Sequence, residues 1–577
     1  MPPEPASLSV AAAPQSARLD LSQPVMVGLA LLLSGLVLLP LGWLLWYGIT
    51  DATGALTLAN FGRLLGERAF VTPFLTTLGV AVGVALACCV VALPMAWLVA
   101  RTDMPGHRGI RLLVMASFVT PPFLGAVAWE ILAAPNSGLL NRWYQRLFGH
   151  GPYENLFDIY SVTGLTFVMA CYAFPHVFVL VTNALERIPA ELEDASSILG
   201  GGRWHTFRRV SLPIVLPSLL AGALVAFLQA MTQFGAPAIL ALPAGFHVIT
   251  TKIWSLFQFP PNPHLAAAAS LPLLIPTVLL LRGQTWLLRD GAYTVIGGKT
   301  GGGRRLPLGL WRWPALLFAV GVVALPVLLP YAALLKTALV RTASEPLTWQ
   351  ALTLHNVRFV FTEFSATRLA LTNTVILGVG AATCGTVLAL VAAFLTTRRL
   401  VPGGRFLGFL ATAPAAIPGI VLGVGLFLAY TRPPLVLYGT LLILLLAFVT
   451  IELPPAYQQL QAALRALHPE LEEASRILGA TRLRSLCQIT APLLANSVVA
   501  TWCFIFIGAI RELSATILLT TANTKLVSVI IYDLNESGDL GAISVLGITL
   551  LLISFLIVAV ATRLPRRSRG APLPERP

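Results

Sequence analysis

Seven side chains able to hold charge or strong hydrogen bonds stand inside otherwise apolar stretches. They are Glu130, His176, Gln229 and Gln233 in the first half of the chain, and Glu452, Arg511 and Glu512 in the second. Polar groups in such surroundings are costly and face a cavity or a partner helix, so they mark a candidate solute path or gate. None forms an enzyme's constellation: there is no HExxH, no nucleophile beside a base and no carboxylate cluster. His176 has no second His or carboxylate at ligand spacing and reads as a structural histidine. The cysteines at 88, 89, 171, 384, 487 and 503 form neither a CxxC pair nor a zinc spacing, and read as reduced residues in or near helices. No catalytic residue, resident metal or cofactor is expected. Arg511 and Glu512, read as neighbours on one helix, point about 100° apart and each needs another partner. Two placements fit them: a gate at the meeting of two halves, or the outer interface, where they would snorkel.

A second set of chemistry-bearing residues occurs twice. Glu191-Leu-Glu-Asp-Ala-Ser-Ser-Ile-Leu-Gly200 returns 279 residues later, without a gap, as Glu470-Leu-Glu-Glu-Ala-Ser-Arg-Ile-Leu-Gly479. The register continues, matching Arg203 with Arg482, Val210 with Ile489 and Pro213 with Pro492. Leu192, Ala195, Ser196 and Leu199 fall at helical spacing, as do Leu471, Ala474, Ser475 and Leu478, giving each segment one stripe of small and apolar residues. Acids fill the first turn, where the helix dipole favours them; arginines follow the end, and Gly200 and Gly479 supply the stop. The spacing predicts a short surface helix whose small residues let a partner approach closely. An unrelated interfacial helix would show a similar stripe, but two copies matching in Gly and Pro favour docking. The docking candidates are Glu191, Asp194, Ala195, Ser196 and Gly200, with Glu470, Glu473, Ala474, Ser475 and Gly479.

The elements that carry these residues are membrane spans. Of 577 residues, 56% are hydrophobic and 11% charged, against roughly 25% charged in soluble domains. About twelve apolar runs approach the length of a membrane helix, about 20 residues. They centre on 25–49, 73–100, 112–133, 160–184, 213–240 and 265–288, then on 313–339, 370–396, 406–430, 436–463, 491–519 and 540–562. The expected organisation is a tail over 1–24, a first half over 25–289, a linker over 290–312, a second half over 313–563 and a tail over 564–577. The first run, of about 24 residues, is too long for a signal-peptide core and reads as a retained span. Placing both termini in the cytoplasm puts most of the 38 Lys and Arg on that side, so the net charge of +14 is a topology signal rather than a nucleic-acid footprint. The Gly-rich stretch around Gly298-Lys299 is not a phosphate loop, because the position five residues before Gly298 is Tyr293 rather than Gly.

Asp194-Ala-Ser, Gly200 and Val210-Ser-Leu-Pro213, with Glu473-Ala-Ser, Gly479 and Ile489-Thr-Ala-Pro492, resemble the EAA loop of binding-protein-dependent ABC importer permeases. The departures are Asp194 for Glu in the first copy and Ala491 for Leu before Pro in the second. Fused permeases of the ferric-iron type are similar in further stretches: Tyr293-Thr-Val-Ile-Gly-Gly-Lys299 followed by Trp311-Arg-Trp313, Gln233-Phe-Gly-Ala-Pro237, Arg511-Glu-Leu-Ser-Ala-Thr-Ile-Leu-Leu519, and Ser528-Val-Ile-Ile-Tyr-Asp-Leu-Asn-Glu-Ser-Gly-Asp539. The resemblance implies an all-α integral membrane protein of about twelve helices in two pseudo-symmetric six-span halves. It further implies coupling helices that sit in clefts of a separate ABC ATPase dimer carrying ATP and Mg, and an extracytoplasmic solute-binding protein. It implies a bacterial inner membrane location with membrane lipid as surroundings. Ferric iron is the cargo it points to; polyamines, thiamine and phosphonates travel through related permeases. Two other classes remain as alternatives, an ion-coupled secondary transporter, which would also show twelve spans in paired halves, and a membrane-embedded enzyme.

Overall fold

The computed structural model describes residues 22–149, 151, 154–290, 305–400 and 402–567. The Gly-rich stretch at 291–304 and most of both expected tails lie outside the described residues.

Helices account for all the regular structure among the described residues, with only isolated bridges such as Thr50 to Leu56 and Val340 to Leu352. Nine helices are long and apolar enough to cross a bilayer, and three further bent pairs bring the count to twelve when each pair is one span. In the first half these are α1 (Ser22–Gly48), α2 (Arg68–Arg101), the pair α3 (His107–Val119) and α4 (Pro122–Ala133), then, past an outer-loop helix α5 (Leu139–Phe148), α6 (Val162–Glu186). The short helix α7 (Ala190–Ile198) leads to α8 (Leu212–Thr232), the small helices α9 (Gly235–Leu240) and α10 (Ile249–Ser255), and the closing span α11 (Pro263–Asp290). The second half repeats the plan with α12 (Arg312–Val323) and α13 (Leu329–Ala338), α14 (Ala366–Thr397), the pair α15 (Gly404–Thr412) and α16 (Gly419–Tyr430), and α17 (Leu441–Arg465). It closes with α18 (Glu470–Ile477), α19 (Ala495–Arg511), α20 (Thr516–Leu519), α21 (Val527–Ser537) and α22 (Leu540–Arg567).

Two offsets, not one, relate the halves. Thr77, Arg101 and Pro121 correspond to Thr374, Arg398 and Pro418 at 297 residues, whereas Gly200 and Gln233 correspond to Gly479 and Glu512 at 279. The 18-residue difference (297 − 279) lies in the loop after the bent span, where the first half alone carries α5.

The bends follow from proline. Thr120 is extended (ψ 124°) because it precedes Pro121, and α4 restarts with Pro122 in its first turn. Ile417 (ψ 112°) stands in the same relation to Pro418. The two bends measure 102° and 111°. The expected single spans at 112–133 and 406–430 are thus broken elements, since proline sterics override an apolar run that is otherwise continuous; the one at 491–519 is bent by 82° just before Ala495.

The halves interlock. α1 packs on α14, α15 and α16 of the second half, and the Tyr430 hydroxyl donates to the Gly35 carbonyl at 3.2 Å. A Cβ on Gly425 would stand 2.9 Å from the Pro40 carbonyl oxygen, so only glycine allows that approach. Reciprocally, α13 packs on α4 of the first half, and the hydroxyls of Thr120 and Tyr331 are 2.7 Å apart.

Candidate functional site

Both short helices form where the repeat places them, and both end alike. Gly200 (φ +84°) and Gly479 (φ +91°) take left-handed backbone that disfavours any side chain. Gly201 N–H donates to the Ser196 carbonyl and Gly200 N–H to Ser197; Ala480 N–H to Ser475 and Gly479 N–H to Arg476 repeat the pattern. This is a Schellman closure. The turn swings the last apolar pair outward: Ile198 is 84% and Leu199 87% exposed, Ile477 86% and Leu478 89%. Glu191, Asp194 and Ala195 are exposed, as are Glu470, Glu473 and Ala474.

The expected stripe faces outward except at its serines: Leu192, Ala195 and Leu199 are exposed, as are Leu471, Ala474 and Leu478. Ser196 and Ser475 are half-buried, and the Ser196 hydroxyl lies 2.8 Å from that of Thr206, whereas Leu199 and Leu478 point away.

The acids that fasten these helices are ones the sequence reading passed over. Glu193 pairs with Arg101, the last residue of α2, whose side chain is 2% exposed. The Ser211 hydroxyl donates to the same carboxylate at 3.1 Å. In the second half Glu472 receives Arg398 Nε at 3.1 Å and Nη2 at 3.0 Å, and the Thr490 hydroxyl at 3.1 Å. Ser211 and Thr490 each end a π-helical turn, Phe207–Ser211 and Leu486–Thr490, at the foot of the next span. The wide turn occurs at the same place in both halves, as π turns do at functional positions. Each surface helix is therefore clamped to the ends of two spans. The sequence held the signal, an arginine closing the second span of each half, but the 297 offset hid the equivalence.

The spans α8 and α19 that rise from these clamps both end in a break. Gln233 (φ −70°, ψ 135°) and Glu512 (φ −75°, ψ 121°) are the extended residues that end them. Arg511 and Glu512 are thus not neighbours on one helix: α19 stops at Arg511, and Glu512 turns to accept the Ala515 N–H at 2.8 Å. Thr250 donates to the Gln233 carbonyl at 2.9 Å and Ser528 to that of Glu512 at 3.3 Å, so each break is tied to the second helix after it, α10 or α21. The Thr77 hydroxyl accepts the Ile249 N–H, and Thr374 that of Val527, at 2.8 and 3.0 Å.

Around the second break the halves meet. The Arg511 guanidinium donates to the Phe118 carbonyl and lies 5.1 Å from the centre of that ring, while the ring centre of His176 stands 5.0 Å from that of Phe118. Glu452 lies over Gly508, where a Cβ would come within 2.1 Å of its carboxylate oxygen, and it shares the electrostatic surroundings of Arg511 with Glu512. His176, Glu452, Arg511 and Glu512 thus gather at one place. Snorkelling to the outer interface does not describe Arg511, because its partner is a carbonyl of the opposite half. Phe234, Trp254 and Tyr532 form an aromatic group across the halves, with Trp254 and Tyr532 edge to face at 5.7 Å. Glu130 stands apart, accepting from the Tyr160 hydroxyl at 2.8 Å, and Gln229 is exposed one turn before the first break. Among the described residues no group of three His, Cys, Asp or Glu could hold a metal ion.

Two interlocked six-span halves, each with a surface helix clamped to spans, one of which ends in a break, define a pseudo-twofold polytopic membrane protein. The chain belongs to the family of binding-protein-dependent transport system inner membrane components, which matches residues 90–290 and again 385–570, once in each half. It is accordingly a multi-pass inner-membrane protein. Similar proteins include the ferric transport system permease protein FbpB of Actinobacillus pleuropneumoniae, 27% identical over 457 residues, covering 78% of this chain and 64% of that one. The chain therefore spans somewhat less than two thirds of that relative's length. The inner membrane ABC transporter permease protein YdcU of Escherichia coli strain K12 is 30% identical over 294 residues, 45% of this chain and 91% of its own. A bacterial ABC transporter involved in the import of the acidic polysaccharide alginate covers 47% of this chain and 90% of its own at 14% identity and a TM-score of 0.35, a likeness too slight to weigh.

Proposed function

We propose that this chain is the membrane-spanning permease of an ATP-driven importer, itself without catalytic activity, that passes a solute from an extracytoplasmic binding protein to the cytoplasm. The observation that carries the reading is the pair of identically closed surface helices, each exposing an Ile-Leu tip and each clamped by a half-buried acid to the foot of the span that ends in a break. Exposed apolar tips beside acids are what a docking helix presents to a groove. Two copies of a separate ATPase, holding ATP and Mg, dock on α7 and α18 with Ala195 and Ala474 at the contact. Closing of the ATPase pair moves both helices, the Arg101–Glu193 and Arg398–Glu472 clamps carry the movement to α2, α8, α14 and α19, and the breaks at Gln233 and Glu512 shift. Hydrolysis resets the cycle. His176, Glu452, Arg511 and Glu512 line the gate in this reading. Both termini face the cytoplasm, in keeping with the distribution of Lys and Arg.

Ferric iron is the proposed cargo, supported by the name of the Actinobacillus relative and by a further ferric permease of Haemophilus influenzae, FbpB 2, 25% identical over 399 residues. Permeases named for molybdenum and for sulfate in Escherichia coli match about a third of the chain, 34% and 33%, so an oxyanion is the second reading of the cargo. The test is ATPase activity of the partner, reconstituted with this permease in liposomes, with and without an iron-loaded binding protein. Stimulation accompanied by iron entry supports both permease and cargo. Stimulation by a molybdate- or sulfate-loaded binding protein instead keeps the permease and discards iron, and failure of any ATPase to associate refutes the importer reading.

A further inference from the structure

The 18-residue addition that distinguishes the first half carries α5 on the face opposite the coupling helices, and neither docking nor the solute path uses it. Leu140, Trp143, Tyr144, Leu147 and Phe148 recur at the spacing of one helix face. Trp143, Leu147 and Phe148 are 60% or more exposed. Such a helix lies flat at a membrane surface, with its aromatic residues at headgroup depth.

Two cavities meet beneath it, sharing Leu140 and Trp143. The larger, about 680 Å³, runs from α5 down between the halves along Trp129, Phe167, Leu325 and Leu329. Its one acidic residue, Asp158, is turned to the Tyr160 N–H. The smaller, about 320 Å³, is lined by Arg142, Arg146 and Lys336 against a single carboxylate, Glu345. Arg142 and Lys336 both donate to carbonyls of the loop at Ala343 and Ser344, which holds the cations side by side. The buried Arg142 Nε is without a hydrogen-bond partner. Burial and then the Arg146 charge both depress the pKa of Arg142, so an anion placed here would relieve a standing repulsion.

We infer that these joined cavities bind one anionic phospholipid of the outer leaflet, its phosphate on Arg142, Arg146 and Lys336 and an acyl chain in the apolar cavity, bridging the two halves. A protein segment fits poorly, because its peptide groups would find no partners among Phe167, Leu325 and Leu329, whereas an acyl chain has none to satisfy. The charge on the cavity selects an anionic headgroup over a zwitterionic one.

The test uses the full-length permease, delipidated in detergent and titrated with phosphatidylglycerol, with phosphatidylcholine of the same chains, or with inorganic phosphate. Retained lipid is read by native mass spectrometry and stability by Tm. Phosphatidylglycerol is expected to bind about tenfold better than phosphatidylcholine and to raise Tm. Arg142→Gln with Arg146→Gln should abolish that preference while leaving both lipids bound, and Leu156→Trp, which fills the cavity from an exposed loop position, should weaken both. Equal retention of the two lipids by the wild type, or an unchanged preference in the double variant, overturns the site. So does an equal rise in Tm with inorganic phosphate, which would make it a free-anion site. A loss of binding-protein association in the double variant with its lipid preference intact would make the patch a protein contact and also overturn the proposal.

Discussion

Replacing Glu193 with Gln removes a charge and little else, which makes it the sharpest probe of the clamp. The glutamine keeps an oxygen for the Ser211 hydroxyl, so the packing of α7 on the foot of α8 is preserved. Arg101 is the side that suffers: it is 2% exposed, and its remaining contact is the Ile188 carbonyl at 3.5 Å. Stripping one partner from a buried ion pair costs about 3–5 kcal/mol, because the other charge stays buried and uncompensated. The lower end applies here, about 3 kcal/mol, since a glutamine oxygen can still face the guanidinium. At 1.4 kcal/mol per tenfold, that shifts the balance between clamped and released α7 by about 100-fold. Glu472→Gln should cost less, about 2 kcal/mol, because Arg398 is 11% exposed and also holds the Leu467 carbonyl at 3.2 Å. The readouts are solute-stimulated ATPase activity in proteoliposomes and trypsin cleavage at Arg187 in intact membranes. Glu193→Gln should lose most of the stimulation and be cleaved faster than wild type, with Glu472→Gln intermediate. Arg101→Met with Glu193→Leu removes both charges and should restore resistance to trypsin, since an apolar pair replaces a buried ion pair at little cost. Wild-type cleavage together with wild-type stimulation in Glu193→Gln would refute the clamp.

Three further outcomes follow from the same geometry. Ile198→Ser with Leu199→Ser should weaken association with the ATPase at least about tenfold in pull-down from membranes, with insertion unchanged because both side chains are more than four-fifths exposed. Gly479→Pro should abolish coupling, because proline fixes φ near −65° where this residue sits at +91° and removes the N–H that bonds Arg476; wild-type uptake with normal expression would count against the docking model. Glu512→Gln retains an acceptor for the Ala515 N–H but loses the charge beside Arg511, so a drop in uptake of about 30-fold at intact expression supports a gate, and unchanged uptake removes Glu512 from it.

The amino-acid sequence by itself determined the membrane class, the doubling of the chain, the two surface helices and their glycine stops. Each of these rests on local or additive physics: hydropathy summed over about 20 residues, or a turn that only glycine makes without strain. Tertiary structure decided what those elements hold. The clamp joins residues 92 positions apart in one half and 74 in the other, Arg101 to Glu193 and Arg398 to Glu472, and a changed offset between the halves conceals that they are equivalent. The break at Glu512 has no local signal, because no proline or glycine follows it directly; the Ala515 N–H and the Ser528 hydroxyl capture the freed groups from outside the helix. The gathering of His176, Phe118, Glu452 and Arg511 depended on how two halves interlock, and no periodicity within either half encodes that. Helices are written in nearest-neighbour preferences, whereas the pairing of a buried charge is set by whichever distant group packing brings within reach.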